Sequence, residues 1–313
     1  MNKLISVIMS CYNESDKDLS ESIESILNQT YSNFEFLIVN DNPANEKLKN
    51  KLNQYKFDSR VKIINNKINL GAGKSKNEAL NIAKGYYTAI LDADDIAFPN
   101  RLKKEIEYLE EHPECDLVAS LRDDIDEKSN LLKSSVGIAI KDKYIPIVLK
   151  YGAIITHSTV MMKTSILKKL HGYRIFKSSQ DYDLWLRMVS AKCNFHIIPE
   201  SLIKYRIREN GITNSNFAKI YFESNYIRKL YYEREKQNNK DSYSEEKFNL
   251  LTQKSINKYD NINNQFNYFI KFNKEKYNLF HIFKFFYYTF TDFDCLNNFK
   301  NLLQAKIMIK FSN

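Results

Sequence analysis

Short apolar runs and helical patterns alternate through the first third of the chain. Leu4 to Met9 (LISVIM) is a continuous apolar run of strand length. From Ser15 to Asn28, Leu19, Ile23, Ile26 and Leu27 recur at helical spacing, with Ser15 placed to cap the helix. Phe34 to Val39 predicts a second buried strand, and residues 45 to 56 a helix carrying Leu48, Leu52 and Tyr55. A short strand at Val61 to Ile64, a helix over 74 to 84 and a strand at Tyr87 to Leu91 continue the alternation. Repeated β-α units predict an α/β fold with a mostly parallel sheet between helices. Farther along, a helix is predicted over Asn100 to Glu111, a strand over Asp116 to Ser120 and a helix near 142 to 151. Another helix carries Leu184, Met188 and Ala191. Beyond about residue 215 the chain becomes polar and rich in Lys and Asn, and 235 to 247 (EKQNNKDSYSEEK) reads as a linker or exposed loop.

Ligands of parallel α/β sheets sit beyond the carboxyl ends of the strands. Here the first, second and fourth strands run out into Tyr12-Asn13-Glu14, Asn40-Asp41-Asn42 and Asp92-Ala93-Asp94-Asp95. Carboxylates and amides remote in sequence therefore converge on one edge.

Composition narrows the partners. The 313 residues are 43% hydrophobic and 27% charged, which excludes wholesale disorder. A net charge of +9 suits anionic partners, but an RNA-binding surface should gather a dense basic patch interleaved with aromatics on one element, and here the positive charge is dispersed. Cys11, Cys115, Cys193 and Cys295 form no CxxC pair, so neither a zinc site nor a disulfide framework is indicated, and a reducing cytoplasmic setting is expected. The N-terminal apolar run is too short for a signal peptide, and no apolar stretch of 18 residues follows.

Two phosphate-loop signals fail. Gly73-Lys74-Ser75 ends like a P-loop, but Ile68 stands where that motif needs glycine, and Gly71-Ala72-Gly73 lacks the third glycine of a dinucleotide loop at Lys76. Asp92-Ala93-Asp94-Asp95 is the strongest local feature. In an extended segment Asp92 and Asp94 share a face, and two carboxylates aimed at one point call for a hard cation such as Mg²⁺ or Mn²⁺. A turn with capping aspartates before Pro99 is the competing reading.

Taken in order, SVIMSCYNES, FEFLIVNDNP, NLGAGKSKNEALNIAKG, YTAILDADD and SSQDYDLWLRM resemble the inverting family 2 glycosyltransferases of the GT-A fold, over about residues 4 to 208. The resemblance implies a nucleotide-sugar half (1–98), an acceptor half (99–215) and a helical extension (216–313). It implies a nucleotide-sugar donor, UDP-linked by preference, held by Tyr12, Glu14, Asp41, Lys76, Asp92, Arg206 and Arg208, with Mn²⁺ or Mg²⁺ on Asp94. Lys76 stands where the family usually has Arg, and Arg208 where many relatives have His, which leaves the third protein ligand of the metal open. Asp181 matches the base, in a segment where Gln180 replaces the usual Glu; Asp183 is the fallback, and His157 resembles a histidine beside the acceptor.

The implied reaction is sugar transfer to a hydroxyl of a glycan, as in capsule, O-antigen or lipooligosaccharide assembly. The acceptor would be a lipid-linked glycan, with the enzyme peripheral on the inner face of the membrane. An apolar helical face from Leu279 to Phe293, and a second piece with Phe299, Leu302, Leu303 and Ile307 among Lys300, Lys306 and Lys310, fit an anionic surface or the body of the protein. A nucleotidyltransferase should show a Gly-rich N-terminal signature that CYNES does not supply; a degenerate, non-catalytic nucleotide-sugar-binding module remains the other alternative.

Overall fold

The computed structural model describes residues 3–208, 217–254, 289 and 293–312. The first half is the alternation read from the sequence: β1 (Ile5–Cys11), α1 (Asp16–Leu27), β2 (Phe34–Asn40), α2 (Glu46–Asn53), β3 (Val61–Asn65), α3 (Ala72–Ile82) and β4 (Tyr87–Ile90). These four strands are parallel, in the order β3-β2-β1-β4. Their runs are apolar throughout because both faces are covered. Ile8, Leu37, Val39 and Ile90 enter one core, whereas Val7, Met9, Phe36, Ile38 and Ala89 enter the other, under α1 and α2.

The second half is mixed. It contains β5 (Ile96–Ala97), α4 (Arg101–Glu111), β6 (Leu117–Ile125), β7 (Leu131–Val136), α5 (Ile145–Leu149), β8 (Met161–Lys163), α6 (Thr164–Lys169), α7 (Gln180–Ser190) and β9 (Phe195–Arg206). The sheet continues β4-β8-β6-β9-β5, with β7 on β6; β8 runs antiparallel to β4 and β6, and β6 is parallel to β9. Only the first half therefore follows the parallel expectation. β9 escaped detection because Pro199 and Glu200 interrupt its apolar pattern; the register slips there, from Ser120 opposite Ile198 to Leu121 opposite Ser201. Proline lacks the N–H that a regular ladder needs, and a bulge absorbs it.

Arg101, fully buried, closes the middle of the sheet by donating from Nη2 to the carbonyls of Ile90 and Val160 at 2.9 and 3.2 Å, with Glu105 as its counter-ion. Beyond the sheet, α8 (Phe217–Lys236) lays Ile227, Leu230 and Tyr231 into the core that contains Trp185 of α7, and α9 (Glu245–Lys254) adds Phe248. The stretch read as a linker or exposed loop, 235 to 247, is exposed toward both ends but docked at its middle. Asp241 is buried against Arg174, at 2.8 Å, and against Arg234. In the last helix, α10 (Phe293–Ser312), Met308 and Ile309 pack on the body of the protein. The apolar face from Leu279 to Phe290 lies outside the described residues, as does the side chain of Phe293.

Candidate active site

The ends of β1, β2 and β4 and the start of α3 build the donor side. Asp41, one residue past β2, is buried and accepts three hydrogen bonds at 2.8 Å: Asn66 Nδ2 and the Leu70 N–H on Oδ1, and the Gly71 N–H on Oδ2. Oδ1 is saturated, and Oδ2 keeps one acceptor position. The loop that Asp41 ties down turns through Gly71, whose φ of +79° suits glycine, and enters α3. Past β1, the Tyr12 ring is exposed, its N–H donates to Glu14 Oε2 at 2.8 Å, and its carbonyl accepts from Asn42 Nδ2 at 2.9 Å. Burial pushes the Glu14 carboxyl up, and the Asp94 charge adds to the shift.

After β4 the chain does not stay extended. The Asp95 N–H donates to the Asp92 carbonyl at 3.1 Å, and this turn sends the aspartates in different directions, correcting the expectation that Asp92 and Asp94 share a face. Asp92 turns to α3. Its Oδ1 lies 3.0 Å from the Nζ of Lys76, whose side chain is 2% exposed, and 3.6 Å from His157 Nδ1. Burial would raise the Asp92 carboxyl, but Lys76 and His157 overcome it and hold the group well below the usual carboxylate range. Asp94 turns to the other side, where Oδ2 accepts from Arg208 Nε at 2.9 Å. Burial pushes its carboxyl up; Arg208 opposes this, and Asp92 reinforces it. Asp95 is interior, a strut between the Ser158 hydroxyl and the Arg206 N–H.

The acceptor side comes from α7 and the turn before β8. Asp181 lies in the first turn of α7, accepting the Tyr182 N–H at 2.8 Å. Burial raises its carboxyl, His157 draws it down and Asp92 pushes it up, so Asp181 and the β4 turn share one electrostatic neighbourhood. One helical turn on, Trp185 lies 6.2 Å from the His157 ring, centroid to centroid. His157 Nε2 is 2.9 Å from the Tyr173 hydroxyl. Lys76, Asp92, His157 and Tyr173 thus form a continuous chain beside Asp181, buried except at Asp92. Gln180 abuts α3: a Cβ on Gly73 would stand 3.2 Å from its Oε1.

Two expectations are corrected. Asp183 does not face an acceptor: its side chain is fully buried, with Oδ2 accepting from Arg187 Nε at 2.8 Å. Arg206 is not presented to a donor either. Its side chain is fully buried, with Nε on the Asp94 carbonyl at 2.9 Å and Nη2 on Glu21 Oε2 at 2.8 Å. Its Nη1 serves the β6–β7 hairpin, at Asp126 O and Ser129 Oγ, both 3.0 Å away. No local pattern singles out Tyr173, Asn66, Ser158 or Asp18, because each acts through a partner in another part of the fold.

The family model described as glycosyl transferase family 2 matches residues 6–170. The chain belongs to glycosyl transferase family 2. The transferase is 44% identical over 236 residues to the uncharacterized glycosyltransferase MJ1057 of Methanocaldococcus jannaschii, covering 74% of this chain and 81% of that one. It is 28% identical over 243 residues to the UDP-Glc:alpha-D-GlcNAc-diphosphoundecaprenol beta-1,3-glucosyltransferase WfgD of Escherichia coli, covering 73% and 90%. Among solved structures it is similar to S. aureus TarS 1-349 in complex with UDP-GlcNAc, with a TM-score of 0.59 at 18% identity, covering 91% of this chain and 79% of that one. That likeness is one of fold, and the transferase has the GT-A architecture.

Enzymes of this family and fold generally use a divalent cation. Among the described residues no three His, Cys, Asp or Glu side chains are grouped to hold a metal unaided. Asp94 nevertheless fits one: it is a hard carboxylate, 29% exposed, of the kind that binds Mg²⁺ or Mn²⁺ when phosphate oxygens and water complete the shell. Both aspartates are already paired with a cation, Asp92 with the buried Lys76 and Asp94 with the partly exposed Arg208. No helix among the described residues is long and apolar enough to cross a membrane.

Proposed function

We propose that the transferase moves a sugar from a UDP-sugar to a hydroxyl of a lipid-linked glycan in surface-polysaccharide assembly, inverting the anomeric centre. The observation that carries this reading is the state of Asp181. Asp92, Asp94 and Asp183 are each paired with a cationic side chain and Asp95 with a hydroxyl, whereas among the described residues Asp181 forms no ion pair. A half-buried carboxylate without a counter-ion, raised by burial, is suited to take a proton from an incoming alcohol.

The other roles follow from position. Asp41 offers its remaining Oδ2 position to a base N–H, as uracil presents one, and Tyr12 and Glu14 line the same edge. Lys76 holds Asp92 ionised and fixes it against His157, keeping the floor between donor and acceptor rigid. A divalent cation on Asp94 supplies positive charge to the departing nucleoside diphosphate. WfgD and TarS, through what their names state, support a UDP-sugar donor, and WfgD supports a lipid-diphosphate acceptor. On α10, Lys300, Lys306 and Lys310 are exposed beside exposed Leu303 and Ile307, which supports contact with an anionic membrane surface.

The test is Asp181→Asn. Turnover should fall by roughly 10²–10⁴ while UDP binding stays within a few-fold of wild type. Unchanged turnover would reject Asp181 as the base; UDP binding without any turnover in the wild type would leave a nucleotide-sugar-binding module.

A further inference from the structure

Asp94 is the residue through which the proposed site would hold a cation, yet its carboxylate already faces a positive charge of the protein's own. Arg208 Nε donates to Asp94 Oδ2 at 2.9 Å, and Arg208 Nη2 donates to Asp18 Oδ2 at 3.0 Å. The guanidinium therefore ties the turn after β4 to the first turn of α1. Arg206, two residues earlier, also approaches Asp18, at 3.5 Å, but its donors are spent on carbonyls, a hydroxyl and Glu21 inside the protein. It cannot leave without opening the hairpin. Arg208 differs: its side chain is 31% exposed, and these bonds go to two carboxylates, the partly exposed Asp94 and the buried Asp18.

A guanidinium and a divalent cation on one carboxylate oxygen repel each other, so the cation must displace the arginine or bind poorly. A nucleoside diphosphate changes that balance. Its oxygens match the planar fork of arginine better than a single carboxylate does, and they also complete the cation's shell. We propose that Arg208 is the resident counter-ion of Asp94, competing with the divalent cation until a nucleoside diphosphate draws the guanidinium away, so that cation and donor bind as a coupled pair. The proposal rests on the assignment of Asp94 above. Because coupling is reciprocal, removing the competitor must raise cation affinity in the empty protein and weaken the help that the nucleotide gives.

The experiment measures Mn²⁺ binding to the full chain by electron paramagnetic resonance, with and without UDP, in wild type, Arg208→Gln and Arg208→Lys. Without UDP, Arg208→Gln should bind Mn²⁺ about five-fold tighter than wild type, as expected for losing one competing charge pair at a partly exposed site. The enhancement by UDP should shrink by the same factor. Arg208→Lys keeps the charge and should stay within about two-fold of wild type. Arg208→Gln protein that binds Mn²⁺ no tighter than wild type overturns the proposal and leaves Asp94 and Asp181 as assigned. A wild-type protein that binds UDP but never Mn²⁺ overturns both the cation assignment and the competition, while the role of Asp181 is judged separately by its own turnover test.

Discussion

Arg206→Met separates a structural arginine from a donor ligand. The substitution keeps the apolar stem and deletes the guanidinium, whose side chain is fully buried. It strips a charged donor from the carbonyl of Asp94, from Asp126 O and Ser129 Oγ in the hairpin, and from Glu21. Hydrogen bonds that involve a charged group contribute about 1.5–3 kcal/mol each when buried, and acceptors at the rim recover part of this from water. Glu21 is 30% exposed and rehydrates, while Asp18, 7% exposed, loses a nearby positive charge. Counting two carbonyls in full and the carboxylates at a discount gives a loss of about 4 kcal/mol. For a protein of this size that lowers the melting temperature by about 10 °C. Thermal and urea unfolding followed by circular dichroism, paired with UDP titration calorimetry, measure both quantities. A variant that melts within about 2 °C of wild type yet loses UDP affinity would refute the reasoning and return Arg206 to the donor.

Two further outcomes are expected. The Asp181 carboxyl is raised by burial and drawn down by His157, with Asp92 opposing His157. A base must be deprotonated, so turnover is lost as pH falls through a value above the ordinary carboxylate range, and His157→Gln should move that acidic limb to higher pH. A kcat–pH profile with an unmoved limb, or one shifted to lower pH, counts against the arrangement. For the terminal helix, full-length protein should float with anionic vesicles, and reversal of Lys300, Lys306 and Lys310 to Glu should abolish flotation; equal flotation by both removes α10 from membrane contact.

The sequence alone determined the parallel half of the sheet. Runs such as LISVIM and FEFLIV must be buried on both faces, and the helical spacing between them leaves little other choice of architecture. It also determined which edge gathers the polar residues Tyr12, Glu14, Asp41, Asp92 and Asp94, because strand ends in such a sheet point one way, and the order of five weak motifs was enough for the family. The tertiary structure decided the roles of individual charged residues. Asp92 and Asp94 are two residues apart, but a turn gives one to Lys76 and the other to Arg208. Asp181 and Asp183 share a helical turn, yet helix rotation opens one to the site and seals the other against Arg187. Arg206 and Arg208 look alike in YRIR, but Arg206 is the last residue of β9 and is fully buried, whereas Arg208 lies two residues beyond the strand with its side chain partly exposed. A charge acts according to its burial and its partner, and both are fixed by segments up to 190 positions away in the chain, as Arg208 is from Asp18. Hydrophobic periodicity is written locally; the pairing of charges is not.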